Sequence, residues 1–191
     1  MTAAPRQSNT HEDDARAVAL ALAGDHSGHE ALMAAHRGAV FRMAHGYTGS
    51  EADALDVTQD AFVAAFLGLH RYDPARPFRA WVLRVALNKC RDWTRRRAVR
   101  RLFAFALPIE HAAQVPDTQP DPEAALASRQ EVARIHAAVA ALPDALKEPL
   151  LLCAMEGVAQ EQAATILGIS RKAVETRLYR ARQKLSHLVE G

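Results

Sequence analysis

The chain has 191 residues, of which 49% are hydrophobic, with nine glycines and few aromatics, a balance that suits packed helices better than sheets. Its two cysteines, Cys90 and Cys153, lie far apart with no C-x-x-C spacing, which argues against a disulfide framework or zinc knuckle and for a reducing, cytoplasmic compartment. No apolar run approaches the roughly 18 residues that a membrane span needs, and the small net charge of +2 hides a strong segregation of charge along the chain.

Residues 1–10 read as a disordered tail. Helical periodicity starts near Glu12 and breaks at Gly24-Asp25. The stretch "AVALALAG" follows His11-Glu12-Asp13-Asp14, the wrong charge for the start of a signal peptide. A second helix is predicted from about His29 to Tyr47, with Leu32, His36, Val40 and Met43 on one side. Ser50 caps a third, with Glu51 and Asp53 in its first turn, running to about Leu69. On it Leu55, Phe62, Phe66 and Leu69 point one way; Asp53, Asp56, Asp60, Val63 and Leu67 point the other, with Gln59 at the edge. An acidic face carrying apolar groups repels DNA and suits a basic protein partner, although a solvated face would look the same.

"HRYDPARPF" is a loop set by Pro74 and Pro77, and a long helix follows from Phe78 to about Arg101. Between Arg71 and Arg101 there are eleven basic residues and two acidic ones. Val82, Leu83, Ala86, Leu87, Cys90 and Trp93 form the core arc of this helix. Trp81, Arg84, Asn88, Arg91, Asp92 and Arg95 form the other arc. An amide and a carboxylate can hydrogen-bond base edges while the guanidiniums neutralise phosphates. The loop residues Arg71, Tyr72, Arg76, Phe78 and Arg79 add aromatic surface on which an unstacked base can sit. Trp81 fits a core position as well as a base contact, and Cys90 fits core packing.

"LPIEHAAQVPDTQPDPE" holds four prolines and no apolar period, so it reads as an acidic linker. Helical pattern then returns to the C-terminus, broken at Leu142-Pro143, Glu156-Gly157 and Gly168. Pro149 is at odds with a helix interior and suits only a first turn. "AQEQAATILGISRKAVETRLYRARQKL" has helix-turn-helix spacing, with a tight turn at Gly168-Ile169-Ser170 and Ser170 as N-cap. Val174, Leu178, Ala181 and Leu185 face the preceding helix. Lys172, Thr176, Tyr179, Arg180 and Gln183 project outward, placed to read a major groove.

Taken in order, these stretches resemble the extracytoplasmic function group of sigma factors, the smallest bacterial initiation factors, over about residues 12–188. "DALDVTQDAF" resembles the family's A-E-D-L-V-Q-E-x-F through Ala54, Asp56, Gln59, Asp60 and Phe62, with Leu55 and Thr58 departing from the usual Glu and Val. "FRAWVLRVALNKCRDWTRR" is similar to its F-x-x-W-L-x-x-I-A-x-N-x-x-x-D-x-x-R-R, and the C-terminal stretch to its helix-turn-helix, with Ala163 where a bulkier aliphatic is usual.

The resemblance implies an all-α fold of two small domains joined by a flexible acidic linker at 106–122. A sigma2-like bundle would span 11–105 and a sigma4-like helix-turn-helix 123–189. It implies that Asp53, Asp56, Gln59, Asp60 and Val63 dock on core RNA polymerase. Tyr72, Arg76, Arg79, Trp81, Arg84, Asn88, Arg91, Asp92, Arg95 and Arg96 would bind and melt the −10 element. Ser170, Arg171, Lys172, Ala173, Thr176, Arg177 and Arg180 would read the −35 duplex. An anti-sigma factor is the implied regulator, and no cofactor, metal, small-molecule substrate or stable homo-oligomer is expected.

Rival readings explain less. His26, His29 and Glu30 have helical spacing for a metal, but no motif supplies a third ligand, nucleophile or phosphate cradle for an enzyme. A plain helix-turn-helix regulator leaves the acidic face and the Asn88 helix without a role. "RRAVRRLFAF" could sit on anionic lipid, but Phe103 and Phe105 fit better as packing at the end of the long helix.

Overall fold

The computed structural model describes the backbone of residues 7–104 and 123–190, with side chains over 11–100 and 132–188. Every regular element among them is helical: α1 (Gln7–Leu22), α2 (His26–Thr48), α3 (Glu51–Leu67), α4 (Phe78–Ala104), α5 (Glu123–Ala141), α6 (Asp144–Leu150), α7 (Gln160–Leu167) and α8 (Arg171–Glu190). A 3₁₀ turn at Leu69–Arg71 ends the α3 segment, and a π-helical turn at Leu151–Met155 follows α6. No described helix is long and apolar enough to cross a membrane. The linker expected at 106–122, Phe105 and residues 1–6 lie outside the described residues. The Phe103 side chain does too.

Local chemistry sets the helix starts. Asp25 Oδ1 accepts from the Ser27 amide at 2.9 Å, so α2 opens three residues before the expected His29. Ser50 caps α3 as anticipated, its hydroxyl accepting from the Asp53 amide at 3.3 Å. The structure extends α1 back to Gln7, into the stretch expected to be a disordered tail.

The first four helices form a bundle. Leu32, Val40 and Met43 are fully buried and His36 nearly so, which matches the periodicity of α2. Val82, Leu83, Ala86, Leu87 and Cys90 supply the α4 side. Burial pushes the Cys90 thiol up to about 12, so at neutral pH it is a packed hydrophobe without thiolate reactivity. A buried pair, His36 Nε2 to Asp14 Oδ1 at 2.8 Å, fastens α1 to α2.

Leu55 departs from expectation. It is 43% exposed, and the inward face of α3 is made instead by Ala54, Val57, Thr58, Ala61, Phe62 and Ala65. These mostly small side chains draw α3 close to its neighbours. Leu55, the fifth residue of α3, lies beside Met33 and Phe41 in a shallow groove at the edge of α2. Phe62 and Leu69 are buried as anticipated, and Phe66 is half-buried.

Pro149 sits sixth in α6, beyond the first turn. Proline has no N–H to close a helical bond, and the chain widens just after it into the π turn, where the Glu156 amide donates to the Leu151 carbonyl at 3.1 Å. The widened turn carries Glu156 inward. Ala163, where the family usually has a bulkier aliphatic, is fully buried.

The second group of helices packs directly on the first and shares one apolar cluster with it, a contact the sequence does not announce. Gly46 marks a close approach: a Cβ there would lie 2.6 Å from Leu151 Cδ2 and 3.1 Å from Met155 Sδ. Lys147 is buried, donates to the Tyr47 carbonyl at 3.3 Å and lies 4.6 Å over the Tyr47 ring. Alongside, His45 Nδ1 and His136 Nδ1 are 2.9 Å apart, a bond that needs one ring to donate and the other to accept.

Burial, and then the nearby His136, hold His45 below the usual imidazole range, while Glu51 pulls the other way. The docked arrangement therefore resists charging of this ring. Docking is unopposed well above about pH 6.5 and weakens as pH falls through that value. Amide exchange along α5, corrected for its intrinsic pH dependence, should quicken as pH falls from about 7.5 to 5.5. A His45→Asn variant should lack that acceleration.

Candidate nucleic-acid interface

Helix α4 has its core arc packed on the bundle, which leaves the opposite arc outward. Arg84, Asn88, Arg95 and Arg96 are exposed, and Arg91 and Asp92 are half-buried. Arg91 Nη1 reaches Asn88 Oδ1 at 3.4 Å, and Arg95 pairs with Asp92 one turn away. These contacts pre-order an amide and a carboxylate among guanidiniums, a set that can meet base edges and phosphates together.

The acidic face of α3 lies against the far end of the same helix. Trp93 Nε1 donates to Asp53 Oδ1 at 3.0 Å, with Arg97 stacked 5.0 Å above the indole. Arg96 pairs with Asp60 at 3.3 Å. Asp53 therefore spends one oxygen inside the fold. Asp56, Gln59 and Val63 stay exposed, with Leu67 at 76% the most open apolar side chain beside them.

The loop before α4 is tightly tied. Tyr72 Oη donates to the Arg76 carbonyl at 2.5 Å and Arg76 Nε meets Asp73 at 3.3 Å. Phe78 is fully buried and Tyr72 is 8% exposed, which corrects the expectation of a broad aromatic platform: Phe78 is core and only the edge of Tyr72 is available. Trp81 packs 5.4 Å from both rings and stays half-buried. It serves the core on one side and, with Arg76 and Arg84, lines a groove of about 640 Å³ on the other. The opposite wall of that groove is α7, through Glu161, Thr165 and Ile166.

Two arginines of the predicted −10 set are engaged by carboxylates of the second domain. Arg91 makes a fork with Glu148 at 2.6 and 2.7 Å, which raises its pKa further. Arg79 meets Glu156 at 2.7 Å through its carboxylate and 2.8 Å through its carbonyl. Arg42 completes the set, reaching Glu156 at 3.0 and 3.1 Å. Sequence reasoning missed Glu148, Glu156 and Arg42: their partners lie 57 to 114 residues away in the chain, and no local motif marks them.

The second interface is the helix-turn-helix. Gly168 takes φ +67°, a left-handed turn that other residues adopt at a cost, and Ser170 Oγ accepts from the Ala173 amide at 3.2 Å to start α8. Val174, Leu178 and Ala181 are buried against the rest of the domain. Lys172, Thr176, Tyr179 and Arg180 are exposed on the outer face, and Ala173 and Arg177 are half-buried beside it. Arg171 is braced by Glu161 at 2.6 Å and Glu175 at 3.1 Å. The His26 and His29 rings are 6.3 Å apart, His29 packs edge-on to Phe66 at 4.6 Å, and among the described residues no third side chain joins them to hold a metal.

The family models place these features. Residues 32–100 match the sigma-70 region 2 model, and residues 133–185 match sigma-70 region 4. The RNA polymerase sigma factor CnrH of Cupriavidus metallidurans is 40% identical over 187 residues, 96% of this chain and 97% of that one. The chain belongs to the extracytoplasmic function group of sigma-70 factors. The ECF RNA polymerase sigma factor SigE of Mycolicibacterium smegmatis is 33% identical over 81% of this chain and 58% of its own. The solved structure of CnrH in complex with the cytosolic domain of CnrY matches with a TM-score of 0.69 at 35% identity, over 93% of this chain and 97% of that one.

In this sigma factor the region 2 match covers most of α2, all of α3 and most of α4, and α1 precedes it. The α8 cap gives a direct test. Ser170→Ala should lower stability by about 1 kcal/mol, read as a shift in the urea midpoint at constant slope.

Proposed function

We propose that this sigma factor binds core RNA polymerase and directs it to promoters, with the first domain, residues 11–105, docking on the polymerase and opening the −10 element. The second domain, 123–189, holds the −35 duplex. The observation that carries this reading is the pairing of two separate basic surfaces, the α4 arc and the outer face of α8, with one acidic face that only a protein would accept. Polymerase supplies the chemistry. The chain contributes positioning and strand separation.

Docking falls to Asp56, Gln59, Asp60 and Val63, with Asp53 orienting Trp93 and the start of the basic segment. Asn88 reads a base extruded from the −10 element. Trp81, Arg84 and Arg76 flank its path. Unstacking a base costs a few kcal/mol, which backbone contacts and a fitted pocket offset. Arg95 and Arg96 hold phosphates without base preference. On α8, Lys172, Thr176 and Arg180 meet base edges, and Arg177, Ala173 and the Ser170 cap sit near the backbone. The chain works in the cytoplasm. An anti-sigma partner is favoured by the CnrH–CnrY complex, with the shallow apolar groove at Met33, Phe41 and Leu55 as the surface it would cover.

Transcription with purified chain, bacterial core polymerase and a promoter pool tests the whole reading. Transcripts that require the chain and share two spaced upstream elements are expected. A core active with a control factor but neither bound nor directed by this chain would overturn it. Substitution divides the labour further. Asn88→Ala should relax one −10 position, and Thr176→Ala or Arg180→Ala one −35 position each, by about 1–3 kcal/mol of discrimination. Arg95→Ala with Arg96→Ala should instead weaken all sequences alike and lower the salt slope by roughly one per lost phosphate contact.

A further inference from the structure

A histidine and an aspartate are buried together in the first bundle, behind the loop that leads into α4. Asp14 is 6% exposed and His36 2%, and Asp14 Oδ1 lies 2.8 Å from His36 Nε2. Packing alone does not call for this pair, because exchanging buried polar partners for apolar side chains of similar volume is often neutral or stabilising. An apolar neighbour fills volume. A directional hydrogen bond also fixes the rotation of the imidazole plane.

That plane bears on three rings in turn. His36 lies 5.2 Å from Phe78, ring centre to ring centre, and Phe78 lies 5.4 Å from both Tyr72 and Trp81. Tyr72 ties the loop through its bond to the Arg76 carbonyl, and Trp81 and Arg76 line the groove beside it. Burial first, and then the nearby Asp14 carboxylate, raise the Tyr72 phenol above its ordinary range. The hydroxyl therefore keeps the proton that it donates.

We infer that Asp14 and His36 are positioning residues for −10 recognition: the bonded pair orients Phe78 and, through it, the Tyr72 and Trp81 rings beside the path of an extruded base. Close-packed interiors pass a displacement from ring to ring. The inference rests on the reading of the α4 arc and its loop as the −10 surface. Asp14 belongs to α1, ahead of the region 2 match, so a helix outside that region sets the base path from behind.

Asp14→Ala removes the anchor while Ala17, Val18 and Ala21 still bury α1 on the bundle. Transcription by the full chain with core polymerase, on matched and singly substituted promoters, reads discrimination position by position. Asp14→Ala should lower discrimination at the −10 position that Asn88→Ala relaxes by about fivefold, the low end of what one base contact carries. Discrimination at −35 positions and binding to core should not change. Asp14→Asn keeps a carbonyl oxygen at the bonding position and should restore the wild-type ratio. Asp14→Leu with His36→Leu keeps the core filled without the bond. Its urea midpoint should stay near wild type or rise, while its −10 discrimination falls as in Asp14→Ala.

Unchanged −10 discrimination in Asp14→Ala would overturn the inference, whatever the double variant does. So would a loss that Asp14→Asn shares, or one matched at −35 positions and tracking the urea midpoint, as a general loosening of the fold would give. Asn88→Ala separates the inference from the reading beneath it. If that variant relaxes a −10 position and Asp14→Ala relaxes none, the positioning role falls alone. If Asn88→Ala relaxes none, the base-reading assignment falls and the positioning role falls with it.

Discussion

A carboxylate removed from water must be paired, and the one at Glu156 determines how the two halves of this protein meet. Its oxygens are taken by Arg42 and Arg79, and its carbonyl also accepts from Arg79. Leaving such a group unpaired typically costs 3–5 kcal/mol, so the neighbouring geometry is constrained to serve it. Pro149 interrupts the α6 ladder, the π turn widens the chain, and Glu156 is delivered to the two guanidiniums. Gly46 leaves the space into which Leu151 and Met155 fit while this happens. Ion pairing and apolar packing thus select the same docking, and neither set of contacts is complete without the other.

Helix α4 does three jobs with one sequence. Its inner arc closes the bundle through Val82, Leu83, Ala86, Leu87 and Cys90. Its outer arc carries Asn88 among arginines. Its end reaches back to α3, where Trp93 and Arg97 engage Asp53 and Arg96 engages Asp60. The acidic face and the basic helix are therefore mechanically joined. A polymerase held on Asp56 and Gln59 would fix the pose of the strand-binding arc within one rigid unit.

The sequence made the α2 and α4 core faces legible because their large apolar residues recur at helical spacing, and it made the α8 faces legible because turn, cap and charge agree. It misled at Leu55, which shares a direction with Phe62 but lies in a shallow groove at the edge of α2 and stays 43% exposed. It misled at Phe78, where an aromatic next to arginines looked like a stacking platform but is core. The Glu148, Glu156 and Arg42 pairings were invisible for a different reason: each residue is an ordinary surface charge until the second domain folds against the first. Long-range pairing leaves no local period. The role of Pro149 was similarly hidden, since only the widened turn after it explains why an interior proline is kept.

Strand opening is the step on which the account stands most exposed, since duplex binding alone would make the α4 arc mere phosphate glue. Permanganate oxidises unpaired thymines, so probing a promoter selected with core polymerase and this chain reads melting directly. Thymines should become reactive in a short stretch at the −10 element only when both core and chain are present, and Asn88→Ala should reduce that reactivity while leaving −35 protection intact. A promoter fully bound by core and chain with no reactive thymines, or with reactivity indifferent to Asn88, would contradict the account.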